Sequence, residues 1–153
     1  MPVVVQSCCL DDTGALAVRL AGALRPGDVL ALDAPMGAGK TTLVRFLADA
    51  LGVPAGMVAS PTFVIAHEYP LGGGRSLMHM DAYRLHGPED AESLAWDRLL
   101  DPRHILVVEW PDRVAGLLPE DRVSTIRIEP TAPEARRFTI EGALAERLDL
   151  PMS

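Results

Sequence analysis

The segment Ala34-Pro35-Met36-Gly37-Ala38-Gly39-Lys40-Thr41 stands between two stretches of opposite character. Before it, Val29-Leu30-Ala31-Leu32 is a continuous apolar run, the pattern of a strand buried on both faces. After it, Leu43, Phe46, Leu47, Ala50 and Leu51 share one face of a predicted helix, which Gly52 and Pro54 bring to an end. A buried strand that feeds a helix through a short glycine loop commits the chain to stacked layers of sheet and helix. The loop has the Walker A spacing, with alanine at the first glycine position. Its glycines let the backbone curl so that successive N–H groups face an anion, and the helix N-terminus adds its positive end. In that pattern Lys40 supplies an ammonium to the β- and γ-phosphates and the Thr41 hydroxyl ligates magnesium.

Composition sharpens this reading. Of 14 basic residues 13 are arginine, and Lys40 is the only lysine. The wide planar fork of arginine does not suit an enclosed phosphate seat, so the lone lysine marks that seat. The alanine departure is tolerable on backbone grounds. Pro35 pushes Ala34 to extended φ/ψ, where glycine is not required, and Pro35 has no N–H, so phosphate donors begin at Gly37.

Along the rest of the chain, Val3 to Cys9 is β-prone, and Asp11-Asp12-Thr13 offers N-cap oxygens to a helix carrying Leu16, Leu20 and Leu24. Phe63 to Tyr69 and Leu77 to Asp81 read as strands joined by a hairpin loop at Leu71-Gly72-Gly73-Gly74-Arg75. Pro88 to Leu100 reads as a helix, and Ile105-Leu106-Val107-Val108 as a second buried strand. Arg122 to Glu129 and Arg137 to Ile140 alternate as a closing antiparallel pair, and Ala143 to Leu148 ends the chain as a short helix. The expected fold is α/β, a three-layer P-loop NTPase fold with a mixed, partly antiparallel sheet, in one domain over residues 1–153.

A net charge of −7 without a Lys/Arg-rich tract argues against gripping bare nucleic acid through its phosphates. No apolar run approaches the ~18 residues needed to span a bilayer. The start, Met1-Pro2-Val3-Val4-Val5-Gln6, has no basic signal region, so a cytoplasmic location is expected. Cys8 and Cys9 are adjacent, cannot staple distant segments, and read as ordinary reduced thiols.

A phosphate-binding loop of this kind needs a carboxylate at the end of a neighbouring strand to hold magnesium, directly or through water. Two positions compete, Asp81 after Leu77-Met78-His79-Met80 and Glu109 after the second buried run. Glu109 follows the more apolar run and has the longer arm, so it is assigned to the metal; Asp81 is then free to orient or deprotonate the attacking water. Direct contact of Asp81 with the metal is the alternative. His79 shares a strand face with Asp81 and is expected to hydrogen-bond it; two ligands are too few for a closed zinc site. Arg84 stands where an internal arginine finger would reach the γ-phosphate, and an ion pair at the surface is its other reading. Thr62 lies where many nucleotide-binding proteins keep a γ-phosphate-sensing segment, and a threonine that simply opens a strand after Pro61 is its other reading. Trp110, beside Glu109, reads equally as a packing residue, a lid or a partner contact.

Read together, Gly37-Ala38-Gly39-Lys40-Thr41-Thr42, Ser60-Pro61-Thr62, His79-Met80-Asp81-Ala82-Tyr83-Arg84-Leu85 and Val108-Glu109-Trp110-Pro111 resemble the TsaE (YjeE) family in order and spacing, over roughly positions 10 to 140. These are small bacterial ATPases needed to make threonylcarbamoyladenosine in tRNA. The resemblance implies ATP and Mg2+ as cofactors, nucleotide contacts from Gly37 through Thr42 and from Arg136, and magnesium at Thr41 and Glu109. It implies catalytic importance for Asp81, beside which Lys40, Thr62 and Glu109 are the catalytic candidates that the residues themselves offer. It further implies action on a partner complex of TsaB and TsaD type, with tRNA met only through those partners, and no membrane. A small-molecule P-loop kinase is the alternative, for which Arg122, Arg136 and Arg137 would have to serve a lid that the sequence does not otherwise show. A binding module that never hydrolyses its nucleotide is a third reading.

Overall fold

The fold is given by a computed structural model, which describes residues 2–35, 37–53, 66–83, 85 and 96–149. In chain order come β1 (Val3–Ser7), α1 (Leu10–Ala23), β2 (Val29–Asp33), α2 (Lys40–Ala50), β3 (Ala66–Gly72), β4 (Arg75–Asp81), the single turn α3 (Trp96–Leu99) and β5 (Ile105–Glu109). Two 3-10 turns, Pro111–Leu117 and Glu120–Arg122, lead to β6 (Val123–Ala132), β7 (Ala135–Glu141) and α4 (Ala143–Asp149).

All seven strands form one sheet, in the order β1-β7-β6-β2-β5-β4-β3. The four middle strands, β6, β2, β5 and β4, are parallel; β7, β1 and β3 join antiparallel at the two edges. This explains the two unbroken apolar runs. β2 and β5 have strands on both sides and apolar layers on both faces, so nearly every side chain is buried. One face packs against α1, α2 and α4 through Leu20, Leu43, Leu47, Leu77, Phe138 and Leu144. The other face buries Val29, Met80, Leu106 and Val108 against Leu99 of α3 and Val114 of the first 3-10 turn. The expected three-layer, mixed-sheet fold is present.

Several boundaries differ from expectation for local reasons. α1 begins at Leu10 behind Cys9, without a side-chain cap, so Asp11-Asp12-Thr13 is not its N-cap but its first turn. Asp12 instead accepts from the Cys8 N–H at 2.8 Å, and Thr13 turns inward to share a hydrogen bond with the Ser7 hydroxyl at 2.8 Å. β3 runs through Pro70 to Gly72, which an edge strand tolerates because proline has no N–H to offer a neighbour, and the hairpin turn narrows to Gly73-Gly74. Both cysteines are free and exposed. Of the predicted helix over Pro88 to Leu100 only Trp96 onward is described, and Ser60, Pro61, Thr62 and Arg84 lie outside the described residues. No helix among the described residues is long and apolar enough to cross a membrane.

Candidate active site

β2 delivers the chain to the glycine loop at the carboxyl ends of the parallel strands, where ligands of open α/β sheets bind. Gly37 and Gly39 take φ of +80° and +101°, a conformation that glycine adopts without the steric cost a side chain brings. Ala34 does not need it: among the described residues Trp110 alone, outside the glycines, has positive φ. Ala38 donates its N–H to the Pro35 carbonyl at 3.2 Å, closing the loop on itself. The Ala34 carbonyl accepts from Lys40 Nζ at 3.1 Å, and the Ala38 carbonyl accepts from Arg136 Nε at 2.9 Å. Engaging these carbonyls with cations favours the anion-binding curl, because a carbonyl facing a phosphate would repel it.

Lys40 opens α2 and is only 6% exposed. Its ammonium lies 3.8 Å from the centroid of the Trp110 ring, a cation–π contact, and the Tyr83 ring leans on that indole at 5.1 Å. Trp110 reaches this position by leaving β5 in the left-handed region, at φ +57° and ψ +56°. Burial holds the Lys40 ammonium below the usual lysine value, while the charges of Glu109, Asp81 and Asp33, in that order, pull it back up. Asp33 is a member of this ring that sequence reasoning passed over. Its position, last in the buried strand and directly before the loop, was the available signal.

β4 and β5 run parallel with Asp81 opposite Glu109, so both carboxylates end neighbouring strands beside the loop. Glu109 is 4% exposed; Asp81 is half-buried, and its Oδ1 accepts from the Tyr83 N–H at 3.0 Å. His79 departs from expectation. Its Nε2 lies 2.6 Å from Glu109 Oε2, so it supports the glutamate and not the aspartate. Residues two apart on a strand are ~6.6 Å apart along it, whereas the long arm of Glu109 reaches back over the adjacent strand. Thr41 and Thr42 fill the first turn of α2, half-buried. Lys40, with Thr41 next to it in α2, thus lies at the glycine loop and within the field of Asp81 and Glu109.

Arg136 sits apart from that cluster, on the loop's other flank. Besides the Ala38 carbonyl it binds the carbonyls of Ala132, Pro133 and Ala135 at 2.9–3.3 Å. It also lines a cavity of about 460 Å3 between the loop, the start of α1 and the β6–β7 turn, with Cys9, Thr13, Gly39, Thr42 and Phe138 among its walls. Of these walls Gly39, Thr42 and Arg136 were expected as nucleotide contacts, whereas Cys9 and Phe138 were not singled out as site residues, because segments remote from the loop in sequence supply them.

The fold is of the P-loop NTPase class, with its glycine loop between a buried parallel strand and a helix. The solved structure of Bacillus subtilis YdiB aligns over 97% of this chain and 91% of its own, with a TM-score of 0.75 and 29% identity. The family model for "Threonylcarbamoyl adenosine biosynthesis protein TsaE" matches residues 9–138. A TsaE protein of Streptomyces coelicolor, named for tRNA threonylcarbamoyladenosine biosynthesis, is 47% identical over 138 residues, covering 86% of this chain and 90% of its own. The Bacillus subtilis protein of the same name is 36% identical over 129 residues, covering 84% and 78%. The chain belongs to the TsaE family of tRNA threonylcarbamoyladenosine biosynthesis.

Proposed function

We propose that this chain is a magnesium-dependent ATPase of the threonylcarbamoyladenosine modification of tRNA, acting on a protein complex of TsaB and TsaD type. The observation that carries the reading is one buried ammonium, Lys40, at the mouth of a glycine loop and within the field of two strand-end carboxylates, Glu109 and Asp81. Such an arrangement is built to neutralise a polyphosphate and to place a hard cation beside it.

The donor set suits magnesium, which prefers oxygen: a hydroxyl at Thr41 and a carboxylate at Glu109. Thr41 and Glu109 would hold the ion, with water and phosphate completing its shell, and the ion would neutralise charge on the transferring phosphoryl group. Lys40 moves from the indole and the Ala34 carbonyl to the phosphates. Asp81, more exposed than Glu109 and with one oxygen held by the Tyr83 N–H, orients the attacking water and takes its proton. The cavity flanked by Arg136 and Phe138 receives the nucleoside end of ATP.

The test is phosphate release from ATP with magnesium, in the presence of the partner complex. Turnover is expected to vanish in Lys40→Ala, which removes a charge-assisted contact worth about 1.5–3 kcal/mol in binding alone. Near-normal turnover in that variant overturns the reading, as would a phosphorylated small-molecule product, which marks a kinase.

A further inference from the structure

His79 is wholly buried, yet nothing in the reaction described above uses it. Among the described residues its single hydrogen bond is with Glu109: Nε2 to Oε2 at 2.6 Å. The carboxylate brings two acceptor oxygens to that contact and the ring nitrogen brings the hydrogen, so Nε2–H donates. The other nitrogen, Nδ1, is buried without a hydrogen-bond partner among the described residues. On the far side, β3 sets His67 opposite His79 in register, and the His67 Nε2 is likewise buried and unpartnered. Among the described residues no group behind the imidazole competes for it, and its one directional bond points at Glu109. A buried polar ring with half its capacity unused is an expensive way to fill a core, since an aliphatic side chain fills the same volume without that loss.

Glu109 presents the complementary asymmetry. Oε2 is held by His79, while Oε1 takes no hydrogen bond from the described residues, and the carboxyl stands at the end of β5 facing the field of Lys40. We propose that His79 is a positioning residue: by fixing Oε2 it locks the glutamate rotamer and reserves Oε1 for the divalent cation of the nucleotide site. The inference rests on the magnesium–nucleotide reading above. Neighbours that orient a metal ligand in this way typically contribute about 10–100-fold to metal affinity.

The experiment measures Mn2+ binding to the ADP complex by electron paramagnetic resonance, beside ADP binding in EDTA, for the unmodified chain, His79→Leu and His79→Gln. His79→Leu is expected to weaken Mn2+ binding about 10–100-fold while metal-free ADP affinity and the melting temperature hold. His79→Gln, which returns an N–H at similar reach, is expected to restore most of the Mn2+ affinity. Nitrogen-15 NMR of the unmodified protein is expected to show the His79 hydrogen on Nε2. The inference is overturned if His79→Leu leaves Mn2+ affinity unchanged. It is also overturned if metal-free ADP binding falls equally or glutamine restores nothing, which would mark a purely structural role. An unmodified chain that takes up neither ADP nor Mn2+ would remove the nucleotide reading itself, an outcome distinct from these.

Discussion

The Lys40 ammonium is shared between the Ala34 carbonyl and the face of Trp110. On the proposed function, a nucleotide phosphate would have to compete with both contacts. The chain has two tryptophans, so Trp96→Phe leaves Trp110 as the sole reporter. Saturable change in its emission on adding ADP is expected, and the response should disappear in Lys40→Ala. The same residue sets a pH dependence. Because burial depresses the Lys40 value in the fold, the native state holds fewer protons than the unfolded chain between that value and the usual 10.5. Stability contributed by this group therefore rises with pH across that window, whereas affinity for ADP, which needs the charged form, falls across it. Melting temperature and ADP affinity, followed through the alkaline range, should have opposite slopes in the unmodified protein, and Lys40→Met should flatten both.

At the scale of elements, two arginines tie segments that the sheet alone does not. Arg136 fastens the β6–β7 turn to the glycine loop through the Ala38 carbonyl, so Arg136→Met is expected to loosen the loop and weaken ADP about tenfold, near 1.4 kcal/mol, in a calorimetric titration. Arg147 of α4 grips Asp28 with two bonds, at 2.5 and 3.1 Å, and adds a third to the Ala23 carbonyl at the end of α1. Both side chains are largely shielded, so Arg147→Ala should cost about 2 kcal/mol and lower the melting temperature by roughly 4–8 °C, with ADP affinity untouched. Neither arginine role was legible in the sequence, since the partners are backbone carbonyls or an aspartate 119 residues away. β2, β5 and α2 were legible because burial writes itself into local periodicity, and the convergence of Lys40 with Asp81 and Glu109 followed from strand ends. The strand order and the His79–Glu109 bond were not, because they depend on the register between β4 and β5, which no short window of residues records.

At the scale of the molecule, charge and site together argue for work done through other proteins. A surplus of seven negative charges opposes the counterion release that drives binding to a polynucleotide, and the described basic side chains are largely engaged: Arg98 with Glu68, Arg103 with Asp101, Arg127 with Asp33, Arg137 with Glu129. Isolated protein is therefore expected to show no retention of bare tRNA at physiological salt. Hydrolysis should be slow when the chain is alone, since the ammonium that must meet the phosphates is already engaged by an indole and a carbonyl, and displacing both weakens productive binding. A TsaB–TsaD type complex that holds the Trp110 side of the site in its nucleotide-bound arrangement would remove that penalty and raise turnover. Phosphate release measured with the chain alone, with tRNA, with the protein complex and with both separates the possibilities: stimulation is expected from the complex and none from tRNA by itself. Fast turnover by the chain alone, or stimulation by tRNA without the complex, would mean that the catalytic arrangement assembles without a protein partner.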